Sequence, residues 1–142
     1  MEKILVSNLG QLLQADIQLG DLTVLIGPQA SAKSIFLQLV KLILDHQQIL
    51  RTIRQYGFDW QDKQSEFLSL YFGEGMQNLW RAETQVHVDG KFFDLSKALE
   101  RRGKKKQEEK IFLIPAQRVI TLRNGWPRYF MEYESGDPYV VR

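Results

Sequence analysis

The sequence predicts an α/β fold, and three adjacent stretches predict it. Residues 22–26 read Leu-Thr-Val-Leu-Ile, an apolar, β-rich run without a breaker, as in a strand buried on both faces. Residues 27–34 read Gly-Pro-Gln-Ala-Ser-Ala-Lys-Ser. Residues 34–44 then run free of Gly and Pro for longer than a typical strand, so length favours a helix. Its apolar residues cover most of the circumference, which predicts a helix wedged deep against a sheet.

The middle stretch has the form G-x-x-x-x-A-K-S, one residue away from the phosphate-binding loop G-x-x-x-x-G-K-[ST]. Gly27, Pro28, Gln29, Ala30, Ser31, Ala32, Lys33 and Ser34 therefore form the candidate nucleotide site. In such a loop the backbone N–H groups cradle phosphates, the lysine reaches the terminal ones, and the serine hydroxyl ligates Mg²⁺. A helix start adds free N–H groups and the positive end of its dipole. The departure is Ala32, where the pattern has glycine. If that position needs φ > 0, alanine strains the loop; if it has helical angles, alanine is tolerated. Intact Lys33 and Ser34 favour tolerance. The plain alternative is a strand–turn–helix connection with no ligand.

The remaining elements follow in order. Residues 3–6 and 14–19 read as two strands around a turn at Asn8-Leu9-Gly10. The helix after the loop runs to about Gln55, with Tyr56-Gly57 closing it. Residues 58–83 carry aromatic and aliphatic side chains at mainly helical spacing, broken at Gly73-Glu74-Gly75, and read as core. Residues 84–88 and 91–95 flank Asp89-Gly90, a two-residue hairpin signal with φ > 0 at both turn positions. A short helix over 96–101, capped by Ser96, comes next. A basic linker follows, then a buried strand at 111–114 stopped by Pro115. Residues 118–142 read as loop. The whole is one domain: 1–57 with strands, loop and first helix; 58–110 as a helical and hairpin insertion, including the linker 101–110; and 111–142 with a central strand and its following loop.

Composition narrows the function. The chain of 142 residues has no cysteine, which excludes disulfides and thiol chemistry and argues against zinc. His46 and His87 stand outside any metal-ligand spacing and read as ordinary surface or strand residues. No signal-peptide pattern opens the chain, and residues 35–44 are too short to span a bilayer, so a cytoplasmic location without membrane contact is expected. Residues 101–110 hold six basic and two acidic side chains, net +4; the chain's net charge of +2 leaves −2 for the rest. Such a run is usually solvated; nucleic-acid contact through 101–106 is the weaker expectation.

With the loop and residues 111–114 in place, the chain resembles the N-terminal lobe of an ABC-like, AAA-type P-loop ATPase. It is similar to predicted ATP-binding proteins of bacteria, relatives of OLD-type nucleases and SMC-like heads. Residues 22–34 are similar to the family's "TVLIGPQASGKS", and Phe112-Leu113-Ile114-Pro115-Ala116-Gln117-Arg118 to its "-PA-R" segment. The resemblance implies ATP with Mg²⁺, Lys33 on the β- and γ-phosphates, and Ser34 on the metal. It also implies that Gln117, at a strand end like the family's Q-loop glutamine, senses the γ-phosphate through the metal or a water. The alternative for Gln117 is a polar residue ending a strand. By the same resemblance Arg118 would bind phosphate or a partner, the alternative being a pair with a carboxylate.

Other family parts are missing. No run of four aliphatic residues leads into Asp-Glu, and no Ser-Gly-rich signature exists. Phosphoryl transfer depends on such positioning and charge-stabilising groups. The expectation is therefore an incomplete, truncated or partial ATPase lobe. It would bind nucleotide, hydrolyse it negligibly alone, and need its C-terminal half or a dimer partner. The competing expectation is a non-catalytic protein-interaction module folded around a degenerate loop.

Overall fold

The computed structural model describes residues 1–58, 60, 63–100, 108–113, 122–123 and 126–127. Among them the chain is α/β, with a four-stranded antiparallel sheet and three helices. Strands β1 (Lys3–Leu9) and β2 (Leu12–Gln18) form a hairpin. Strands β3 (Trp80–Val88) and β4 (Lys91–Phe92) complete a sheet of order β2-β1-β3-β4. Helices α1 (Lys33–Gln55) and α2 (Gln64–Phe72) lie between the two hairpins in sequence, and α3 (Leu95–Glu100) follows β4.

Alternation in β1 turns Ile4 and Val6 to the core, and the register places Val6 opposite Val86 of β3. These residues share one buried cluster with Phe36, Leu39, Leu42, Ile49, Leu50 and Ile53 of α1. The aromatic run expected to be core is core. Trp60 and Phe67 meet edge to face at 5.8 Å, Phe67 stacks on Tyr71 at 5.8 Å, and Arg54 lies 4.5 Å over the Trp60 ring. Tyr71 Oη donates to the Gln38 carbonyl at 2.9 Å, tying α2 to α1.

The hairpin at Asp89-Gly90 forms as expected, with φ of 49° and 78°. Gly10 is fixed by geometry: at φ 56° its N–H donates to the Leu79 carbonyl, and an added Cβ would stand 2.5 Å from Leu79 Cδ1. Strand β3 starts at Trp80, so the helical reading of 58–83 holds only for α2. The β1–β3 register shifts between Ser7 and Leu9. Thr84 secures the shift, donating from Oγ1 to the Asn8 carbonyl at 2.6 Å and accepting the Arg81 N–H.

Several expectations are corrected. Helix α3 is capped by Asp94, whose carboxylate accepts the Lys97 N–H at 3.2 Å; Ser96 donates instead to Gln64. The Lys97 N–H, and then its ammonium group, hold the Asp94 carboxyl below its ordinary value. Residues 122–123 and 126–127 pair as a short ladder, β5 (Leu122–Arg123) with β6 (Trp126–Pro127), where loop was expected. Residues 111–113 form no strand. The N–H of Ile111 goes to Asp45 and its carbonyl to Lys41, so both its ladder groups are already engaged. Gln117, Arg118 and the basic residues 101–106 lie outside the described residues.

Candidate functional site

The expected buried strand at 22–26 is not a strand. The segment belongs to neither sheet, and Leu22, Val24 and Ile26 are 84%, 66% and 92% exposed. Among the described residues no strand stands beside it to form a ladder, and the Thr23 hydroxyl instead accepts the Gly20 N–H at 3.1 Å. Only Leu25 packs against the core.

From Gly27 the chain wraps into the loop and enters α1 at Lys33. The Lys33 ammonium group sits within the turn, donating to the carbonyls of Gly27 at 2.9 Å and Pro28 at 2.6 Å and to Ser31 Oγ at 2.9 Å. A Cβ on Gly27 would approach Ser31 Oγ to 3.1 Å, so the ring closes tightly on that glycine. Ser34 is exposed on the first turn.

Ala32 answers the question its sequence position raises. It is the residue before the helix, with φ 60° and ψ 16°, and Ala30 also has φ 61°. The expectation that alanine meets helical angles here is therefore corrected. The backbone adopts the left-handed conformation that glycine takes without strain, and alanine holds it at a cost of about 1–2 kcal/mol. The Ala32 carbonyl nevertheless accepts the Phe36 N–H at 2.9 Å and begins the helix.

No side chain caps the start of α1, and no acidic residue lies in its first turn. Its leading N–H groups are therefore not engaged by a cap, at the positive end of a long helix. Beside them runs a groove of about 400 Å³, lined by Leu12, Ala15, Ile17, Val24 and Leu25 together with the loop. Apolar side chains and loop residues line it together, Lys33 among them.

Comparison with protein-family models, curated proteins and solved structures finds no match. The site rests on its own geometry.

That geometry gathers Gly27, Pro28, Ser31, Ala32 and Lys33 on one groove. Among the described residues no three His, Asp or Glu side chains cluster at metal-binding distance, and no helix is long and apolar enough to cross a membrane. Sequence reasoning missed the buried pair Lys41 and Asp45 on α1. Their i,i+4 spacing inside an apolar helix was the available signal.

Proposed function

We propose that the loop 27–34 binds the phosphates of ATP with Mg²⁺, as part of the N-terminal lobe of an ABC-like P-loop ATPase. The placement of Lys33 supports this reading most. Its ammonium group lies inside the loop, at the first residue of a helix with no side-chain cap. A phosphate arriving there meets backbone donors. The ammonium group exchanges neutral carbonyl acceptors for a charged oxygen, a stronger bond. The Mg²⁺ ion would arrive with the phosphates and take the Ser34 hydroxyl as a protein ligand.

Binding, rather than turnover, is the proposed role of this chain by itself. The exposed Leu22, Val24 and Ile26 support completion by a further polypeptide, the C-terminal half or a dimer partner, that covers this apolar run beside the loop. A second reading, a non-catalytic interaction module with a degenerate loop, is favoured by the two alanines at positive φ. Calorimetric titration with a non-hydrolysable ATP analogue separates the two. Mg²⁺-dependent binding that weakens at least about tenfold in Lys33→Ala supports the nucleotide reading. A metal-independent signal that survives Lys33→Ala sinks it.

A further inference from the structure

Two charged residues on α1 are buried where an apolar helix face would be expected: Lys41 is 5% exposed and Asp45 4%. Their charged groups stand 3.7 Å apart and both reach the same piece of chain. Asp45 accepts the N–H of Lys110 on one oxygen and that of Ile111 on the other, each at 2.9 Å. Lys41 donates to the Ile111 carbonyl at 2.7 Å and to the Glu109 carboxylate. Asp45 itself leaves helical geometry, with φ −120° and ψ 18° inside the helix.

We infer that Lys41 and Asp45 form a positioning clasp that fixes the run of residues 109–113 along the loop-bearing helix while adding no net stability. Burying an ion pair removes two charges from water, and that cost roughly cancels their attraction, so an apolar pair of similar volume packs as well or better. An apolar pair lacks direction. One carboxylate receiving two successive N–H groups, with an ammonium group on the carbonyl that follows them, permits a single register. Lys41 lies eight residues along the helix from Lys33, about 12 Å at 1.5 Å per residue, so the clasp sets where residues 109–113 run relative to the loop. This inference does not depend on what the loop binds.

The chain has no cysteine, so spin labels can be placed at will. Leu37→Cys on the first turns of α1 and Phe112→Cys beyond the clasp are both exposed positions. Pulsed electron–electron resonance between them should give one narrow distance distribution. Adding Lys41→Met with Asp45→Leu should broaden it clearly while the thermal midpoint falls by no more than about 4 °C. A Glu109→Gln variant should stay narrow, because Asp45 still holds both N–H groups. An unchanged distribution in the double variant overturns the inference. So does a broad one in the parent, a larger fall in midpoint or failure to fold, or equal broadening from Glu109→Gln.

Discussion

Lys33 Nζ donates to the carbonyl oxygen of Pro28 at 2.6 Å, reaching back five residues across the loop. With the Gly27 carbonyl and the Ser31 hydroxyl, it has three acceptors for its three protons. The loop is thus tied shut by its own cation. Removing the cation by Lys33→Ala should loosen residues 27–32 and cost about 1 kcal/mol, since these bonds are largely exposed. Amide hydrogen exchange in the loop should accelerate in the variant. Unchanged protection would mean that the lysine does not hold the loop together.

Ala32 and Ala30 stand in left-handed backbone. Ala32→Gly relieves that strain, although the freer unfolded glycine chain offsets part of the gain. The expected net is a stabilisation of about 0.5–1 kcal/mol, read as a higher urea midpoint at unchanged slope. A lower midpoint in Ala32→Gly would show that the alanine is not strained.

Tyr71 links two helices through its hydroxyl, which donates to the Gln38 carbonyl in the core. Tyr71→Phe keeps the ring stack on Phe67 and deletes that bond. Stability should fall by about 1 kcal/mol. A neutral result would show that the carbonyl is satisfied without it.

Asp89 closes the β3–β4 turn against the N-terminus. Its carboxylate accepts the N–H of Glu2 and of Lys3, each at 2.8 Å. These bonds, the Glu2 one first, hold its carboxyl below the ordinary aspartate value. Because the folded value is the lower one, the group's contribution is fully present above the unfolded value of about 3.9. It is lost as pH falls through the folded value. The stability difference between the parent and Asp89→Asn should therefore be constant near neutrality and shrink in acid. Carbon-detected titration of the carboxyl checks the direction; a value at or above that of a free aspartate contradicts it.

Much of the fold was legible because local signals agreed with tertiary ones. Asp89-Gly90 has the chemistry its turn demands, and the aromatic spacing of 64–72 matches a helix face that is buried. Two apolar runs misled. Residues 22–26 and 111–113 have the composition of buried strands, but a strand exists only where a second backbone pairs with it. The first has no such neighbour among the described residues. The second gives its ladder groups at Ile111 to Lys41 and Asp45. Those partners lie far away in sequence, so no local pattern announces them. The ladder at Leu122–Arg123 and Trp126–Pro127 has a sequence signal, the Asn124-Gly125 pair between its strands, which a loop over 118–142 does not use. Of the motif at 27–34, Gly27, Pro28, Ser31, Ala32 and Lys33 line one groove and Gln29, Ala30 and Ser34 do not; the angle at Ala32 was invisible, because alanine is compatible with either answer until the backbone is seen.

The most direct measurement is a backbone amide chemical-shift titration with MgATP, and with inorganic pyrophosphate alongside it. Binding in the loop predicts saturable shifts concentrated on Gly27 and residues 29–35, similar for both ligands in direction and abolished by Lys33→Ala. Shifts elsewhere, or none in that segment at saturating ligand, would contradict a phosphate site at the start of α1.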